Sequence, residues 1–127
     1  VLDNHLPVAR NNNLGLIAKR PIANGCWRPM EDFWGFYKTY VKPYKQRLET
    51  MNITPETVGF DGSWIQLALR FCLFQPGVHT AAIGSTNLEH MKANAEIIDQ
   101  GPLPADVVNK LRGIWKRNDD GSWIGLT

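Results

Sequence analysis

The run from Gly84 to Asn94 contains the residues of this sequence whose types and spacing could bind an anion. Ser85 and Thr86 follow an apolar segment, and a pattern typical of an amphipathic helix follows them. The start of a helix presents unpaired backbone N–H groups and the positive end of the helix dipole, and a phosphate satisfies both. Asn87, His90 and Asn94 recur at steps of three and four residues on one face of that helix, which is free to contact a ligand. The run therefore predicts an anion site where a strand passes into a helix.

The same residues also have a purely structural interpretation. Thr86 or Ser85 is expected to be the N-cap, and Thr86 to Glu89 has the capping-box spacing. In that case the polar residues only begin the helix, and His90 and Asn94 are solvated. The opposite face of the helix is expected to pack against the rest of the protein through an apolar stripe, which consists of Leu88, Met91, Ala95 and Ile98.

The elements that would position this site follow from hydrophobic spacing and turn residues. Two strands are predicted, Leu14 to Lys19 and Thr80 to Gly84, because both are apolar runs bounded by turn signals. The segment from His5 to Asn13 predicts a short helical turn at most. A long helix is predicted from near Met30, with Pro43 expected to kink or split it. Its aromatic and apolar stripe, expected to be core packing, comprises Phe33, Tyr37, Tyr40, Tyr44, Leu48 and Met51. Two further helices are expected to pack through Trp64, Leu67, Ala68, Phe71 and Cys72, and through Val107, Val108, Leu111, Ile114 and Trp115.

Composition excludes several classes of protein. The chain has 127 residues, 43% of them hydrophobic and 20% charged, with a formal net charge of +2. This balance is that of a globular domain and is too weakly basic for a nucleic-acid-binding footprint. No apolar run is long enough to cross a membrane, and no signal stretch opens the chain. Cys26 and Cys72 suggest neither a disulfide framework nor a metal site, so a cytoplasmic setting is expected.

Several segments in order carry a family resemblance. They are Gly15 to Gly25, Trp64 to Phe71, Gln75 to Val78 and Ala82 to Asn94, and together they resemble the C-terminal signature of the aldo/keto reductase family. The resemblance implies an α/β fold, a partial (β/α)8 TIM barrel formed by residues 1–127 as the C-terminal part of one domain. Only its last two strands with their helices would be present, so the chain is expected to be a fragment. Otherwise it would self-associate through exposed strand edges, because a parallel sheet needs neighbours on both sides.

The resemblance also implies an activity. Members of this family are nicotinamide-dependent oxidoreductases that reduce carbonyls or oxidise alcohols, using a Tyr assisted by Lys, Asp and His. Those four residues belong to earlier strands of the barrel, so no catalytic residue is expected here and the chain alone should not catalyse. Two alternatives remain: a non-catalytic nucleotide-binding or regulatory subunit, and an inactive truncated product.

The expected cofactor contacts follow residue by residue. The resemblance implies that Ser85 contacts the adenosine 2′-phosphate and that Asn94 bonds adenine, while the loop after the first strand lies along the pyrophosphate. Gly84 and His90 replace a Lys and an Arg found in many members, which weakens the expected grip on a 2′-phosphate and leaves both NADP and NAD as cofactors. The expected cofactor-binding residues are Arg20, Pro21, Ile22, Asn24, Gly84, Ser85, Thr86, His90 and Asn94. Arg20 could equally be an exposed strand-end charge and Asn24 a turn former.

Overall fold

A computed structural model describes residues 2–123, which form an α/β structure with a two-stranded parallel sheet and five α-helices. The chain divides into two compact units. The first contains residues 2–22 and 65–103, and the second contains residues 23–64 and 104–123. In chain order the elements are α1 (His5–Asn11), β1 (Ile17–Lys19), α2 (Phe36–Met51), α3 (Trp64–Leu73), β2 (Thr80–Ala82), α4 (Leu88–Glu96) and α5 (Ala105–Asn118). Short 3-10 turns occupy Ala23–Gly25, Met30–Asp32 and Ile97–Gln100.

The sheet lies in the first unit and is shorter than predicted. β1 and β2 run parallel, with Ile17 opposite Thr80 and Lys19 opposite Ala82. Within residues 2–123 neither strand has a second neighbour, so each exposes one edge. Side chains at both ends of each strand are exposed, and Ile17 is 63% accessible. The two strands are predicted correctly, but not their lengths.

Two helices supply most of the buried side chains of the first unit. Leu67 and Leu69 of α3 are almost fully buried, and α1 contributes Leu6 and Ala9. α1 spans seven residues and is therefore longer than the single turn that the sequence predicts. Ile97 and Leu103 are the other buried hydrophobic residues of this unit.

The side chain of Arg70 links α3 to the segment that follows α4. Its Nε and Nη2 atoms donate hydrogen bonds of 2.8 Å to the carbonyl oxygens of Gly101 and Pro102. Such charge-assisted bonds are stronger than neutral ones. This part of the first unit is therefore held by polar contacts as well as by apolar packing.

The second unit has a compact core around α2. Cys26, Phe33 and Val41 are buried together, and the residues packed against them are Ala23, Trp27, Met30, Tyr44 and Leu48. The indole rings of Trp27 and Trp64 stack with their centroids 5.4 Å apart and their planes 4° apart. Offset stacking of this kind adds to the free energy gained by burying the rings.

α2 begins later than predicted, at Phe36 instead of near Met30, and ends at Met51, the last residue of the predicted stripe. Met30–Asp32 form a separate 3-10 turn, and Gly35 has φ 55, which no right-handed helix adopts, so the helix begins at Phe36. Pro43 lies inside the helix without splitting it. Val41, two residues before Pro43, is fully buried, and packing of this kind supplies most of the stability of helices in proteins. Of the predicted aromatic stripe Phe33 is buried, whereas Tyr37 is 56% exposed.

The apolar stripe predicted for α4 is wrong, because Leu88, Met91 and Ile98 are at least half exposed and α4 buries no residue. After Glu96 the backbone tightens into a 3-10 turn, which advances by about three residues per turn instead of 3.6. This change of period turns Ile97 inward instead of Ile98. No helix among the described residues has the length and hydropathy needed to cross a membrane.

Candidate functional site

The loops that carry most of the candidate residues leave the sheet at the same edge. Lys19, the last residue of β1, lies opposite Ala82, the last residue of β2. Because the strands are parallel, Arg20 and Gly84 follow their carboxyl ends side by side. In α/β barrels this is the edge where ligand-binding loops gather. The fold therefore brings together two segments that are more than sixty residues apart in the chain.

Asn87, and not Thr86 or Ser85, is the N-cap of α4. Its side-chain oxygen accepts the N–H groups of Glu89 at 2.9 Å and His90 at 3.4 Å. Ser85 Oγ in turn accepts the N–H of Asn87 at 3.1 Å. The predicted capping box is therefore wrong, because a helix that begins at Leu88 has its cap one residue later than expected. Three amides of this corner are already bound by side chains of the protein itself.

The charges at this corner cancel each other. Lys92 Nζ lies 3.0 Å from Glu89 Oε1, and both side chains are more than half exposed. His90 is exposed, and a Cβ added at Gly84 would meet no atom within 4 Å. The corner thus offers open space and one imidazole, but its ammonium group is paired with a carboxylate.

Asn94 lies further along α4 on the wall of an open cavity of about 370 Å³ within the first unit. Apart from Asn94, His79 and Thr80, the lining side chains are apolar, and the ring of Phe74 is among them. A side-chain amide carries both a donor and an acceptor and can pair with the edge of a purine ring. A cavity of this size with apolar walls and few polar groups is typical of small-molecule sites. The cavity also reaches His79 and Thr80 at the amino end of β2, whereas the loops from Arg20 and Gly84 follow the carboxyl ends. The adenine contact that the family resemblance implies for Asn94 stays a prediction.

The loop after β1 has an unusual backbone. Arg20, Ala23 and Asn24 have φ between 45 and 55, a region that residues other than glycine seldom occupy. Backbone strain of this kind concentrates at functional sites. Pro21 is buried, and its carbonyl oxygen accepts the Cys72 thiol at 3.5 Å. Burial raises the pKa of the Cys72 thiol to about 11, so the group stays neutral and can donate this bond.

Asn24 belongs to the second unit, unlike the other candidate residues. Its side-chain nitrogen is buried and has no hydrogen-bond partner within residues 2–123. Leaving a buried donor without a partner costs about 1–3 kcal/mol, so such a group calls for an acceptor. An oxygen of a bound pyrophosphate is one group that would supply it.

The candidate residues of each unit have their own chemistry. In the first unit, the amide of Asn94 could pair with a base. In the second unit, the unpartnered donor of Asn24 suits an anionic oxygen. The corner at Ser85 is a poor place for a second phosphate, because Asn87 occupies its amides. Asn87 was expected on the ligand-facing side of the helix, but neither Asn87 nor the Glu89–Lys92 pair is among the expected cofactor-binding residues. Asn is as good an N-cap as Ser, so the run Ser85-Thr86-Asn87 offers three caps between which its sequence alone does not discriminate.

Comparison with known proteins gives the family of the chain and its fold. The model of the aldo/keto reductase family matches residues 3–116. The chain is also similar to the solved structure of the aldo-keto reductase AKR11C1 from Bacillus halodurans. The match to its apo form has a TM-score of 0.63 and 21% identity, and covers 88% of this chain and 38% of that one. The holo form gives a TM-score of 0.64 and 21% identity, with 88% and 37% of the chains covered.

The chain therefore spans less than two fifths of the length of the structures it matches. A search of curated proteins by sequence found no significant match. The likeness to the solved structures gives the fold, which is part of a (β/α)8 barrel that includes its last two strands. The match of the family model over most of the sequence shows that the chain belongs to the aldo/keto reductase family.

Proposed function

We propose that this chain is the cofactor-binding part of an oxidoreductase that transfers a hydride between a nicotinamide dinucleotide and a small carbonyl or alcohol. The observation that carries the proposal is the edge of the sheet where the loop from Arg20 and the corner from Gly84 leave adjacent parallel strands. Membership of the family supports the reaction class. The nicotinamide would supply the hydride, and the residues of this chain would hold the adenosine and pyrophosphate.

The proposed contacts divide between the segments after the two strands. In the first unit, Asn94 would pair with the adenine edge, and Arg20, Pro21 and Ile22 would line the pyrophosphate at the end of β1. In the second unit, the side-chain nitrogen of Asn24 would be a separate donor to a phosphate oxygen. Gly84, Ser85, Thr86 and His90 would surround the adenosine ribose at the end of β2.

We further propose that the site favours NADH over NADPH. A 2′-phosphate is a dianion that needs several donors or a cation, and Asn87 already accepts the N–H groups of Glu89 and His90. Lys92 is paired with Glu89. His90 offers a single donor when neutral, whereas an arginine offers a planar set of charged donors.

Titration calorimetry with NADH and NADPH tests the cofactor proposal. NADH is expected to bind, and Asn94→Ala is expected to weaken its binding about tenfold because two hydrogen bonds to adenine are lost. Asn109→Ala is a matched control, because Asn109 is an exposed residue of α5 outside the candidate site. If neither NADH nor NADPH binds, the proposal is contradicted and an inactive truncated product is favoured.

Exchange of the histidine tests the specificity. His90→Arg is expected to raise the affinity for NADPH about tenfold and leave that for NADH unchanged, because guanidinium–phosphate bonds are charge-assisted. His5→Arg adds the same charge on α1 and should change neither affinity. Equal binding of NADH and NADPH by the unmodified chain would contradict the preference but not the cofactor site.

We also propose that catalysis needs residues on strands that this chain does not match. The tyrosines, Tyr37, Tyr40 and Tyr44, all lie on α2 in the second unit, and the loops at the sheet edge contain none. The chain is expected to bind NADH without oxidising it in the presence of simple aldehydes. Turnover would show that it is a complete catalyst, and binding without turnover would also be expected of a regulatory subunit.

The exposed edges of β1 and β2 lead us to propose that the chain associates with a further strand, either from another copy or from the remainder of a barrel. The setting we propose is the cytoplasm. Sedimentation measurements over a range of concentrations test the association, and a monomer at every concentration would exclude pairing between copies.

A further inference from the structure

We propose that His79 is a pH-sensitive clasp that joins the amino ends of β1 and β2. The N–H of Leu16 donates a hydrogen bond to His79 Nδ1 at 3.2 Å. In return the backbone N–H of His79 donates to the carbonyl oxygen of Leu16 at 3.0 Å, and that of Thr80 reaches the same oxygen at 3.4 Å. Both backbone polar groups of Leu16 are thus bound by one residue of the neighbouring segment.

The side-chain half of this clasp exists only while the imidazole is neutral. Nδ1 can accept a hydrogen bond only through its lone pair, so the neutral ring carries its proton on Nε2. Protonation converts Nδ1 into a donor, which then faces the N–H of Leu16 with no acceptor between them. The backbone bonds from His79 and Thr80 to Leu16 do not titrate and remain. Protonation therefore removes one of the bonds that close this end of the sheet.

Few charged or titratable groups lie near His79 among the described residues. Its neighbours around the cavity that Asn94 lines, on α3, β2 and α4, are all uncharged. Arg10 of α1 extends over Gly77, two residues before His79, where its Cγ would lie 2.8 Å from an added Cβ. His5, also on α1, lies with Leu16 around a separate cavity. The ionic groups near the clasp are therefore the guanidinium of Arg10, which is a permanent cation, and the imidazole of His5, which can take up a proton.

The direction of the pH effect follows from these contacts. Because the neutral ring makes the bond, the clasp is closed while the imidazole is neutral. It opens when acidification places a proton on Nδ1, because that nitrogen then has no lone pair to accept the N–H of Leu16. Each strand has only three paired residues, so one bond is a substantial part of the sheet. The two strands also carry the loops from Arg20 and Gly84 at their other ends.

Nuclear magnetic resonance on the full chain tests the proposal directly. The nitrogen chemical shifts of the neutral His79 ring, measured at alkaline pH, are expected to show an unprotonated Nδ1 and a protonated Nε2. The hydrogen-exchange protection of the Leu16 amide is expected to fall about fivefold on acidification, the equivalent of one hydrogen bond. Protection factors are compared, and not raw rates, because intrinsic exchange also depends on pH.

Two variants separate His79 from the other groups. In His79→Gln the side chain does not titrate, so the protection of the Leu16 amide should no longer change with pH. In His5→Gln the pH dependence of that amide should stay as in the unmodified chain. A proton on Nδ1 at alkaline pH, protection that does not change with pH, or a response that is lost in His5→Gln would each overturn the proposal. If His79→Gln does not fold, the ring nitrogen shifts and the His5→Gln variant still decide it.

Discussion

α2 and α4 differ in how much of their apolar surface they bury. Val41 of α2 is fully buried, and Tyr44 and Leu48 pack against the same core. α4 buries none of its residues, and Leu88 and Met91 are 64% and 50% exposed. Both helices have clear amphipathic sequences. The contrast teaches that the helix with candidate ligand residues contributes little to packing, whereas the helix without them carries a core.

The largest expected effect concerns the two thiols, one in the α2 core and one at the end of α3. Burial raises the pKa of Cys26 and of Cys72 to about 11. At about pH 8 each thiol should react with iodoacetamide at least about a hundredfold more slowly than a free cysteine, because the thiolate is the nucleophile. Mass spectrometry of the two peptides measures both rates. If only Cys72 reacted rapidly, α3 would resemble α4 in leaving its side chains accessible, unlike the core around α2.

The same pKa values predict the sign of a pH effect on stability. Between about pH 9 and 11 the unfolded chain loses thiol protons that the folded chain keeps. The free energy of unfolding should therefore fall as the pH rises through this window. Cys26→Ala should lessen the fall if the core around α2 remains folded. A stability that is constant in this window in urea titrations would contradict the burial of both groups.

Truncation in the α2 core should have the next largest effect. Val41→Ala is expected to lower the free energy of unfolding by about 2 kcal/mol, because it leaves a cavity at a fully buried site. Urea denaturation followed by circular dichroism measures the change. A cost below about 0.5 kcal/mol, the usual range for surface substitutions, would show that this core is not tightly packed.

Loss of the α4 cap should have a smaller effect. Asn87→Ala removes the acceptor of the Glu89 and His90 amides and is expected to cost about 1 kcal/mol. Thr86→Ala is the matched control, because the sequence predicts Thr86 as a cap and the structure does not use it as one. If Thr86→Ala lowered the free energy of unfolding more than Asn87→Ala, the capping box from Thr86 to Glu89 would be supported after all.

The smallest effect is expected on the exposed face of α4. Met91→Ala should change the free energy of unfolding by less than about 0.5 kcal/mol, because the side chain is half exposed and alanine favours helices. The measurement is the same as for Val41→Ala. A cost near that of Val41→Ala would remove the contrast between the two helices, and would indicate that a further chain covers α4 in solution.

Much of the fold follows from the sequence because spacing and turn residues act locally. Both strands and the helices ending at Met51 and Leu73 are predicted, since each has its period and its terminating residues. The start of α2 is not predicted, because the positive φ of Gly35 has no clear signal in the composition. The burial of Ile97 is not predicted either, because a 3-10 turn changes the helical period after Glu96. Such changes depend on packing that residues far apart in the chain supply.

The two strands that carry the candidate residues were predictable, but the contacts around those residues were not. Parallel pairing of the strands brings Arg20 and Gly84 to one edge, as the family resemblance implies. Asn87 is the cap because α4 begins at Leu88, later than the sequence predicts. The bond from Leu16 to His79 could not be predicted, because it depends on the register between two distant segments and on the rotamer of the imidazole.

The distribution of indole rings has a practical consequence for optical work on this protein. All five tryptophans lie in the second unit, with Trp27 and Trp64 face to face, and none lies among residues 1–22 or 65–103. Intrinsic emission excited at the indole band therefore originates wholly in one half of the protein. A phenylalanine of the first unit replaced by tryptophan, such as Phe74→Trp, would give the other half a reporter of its own.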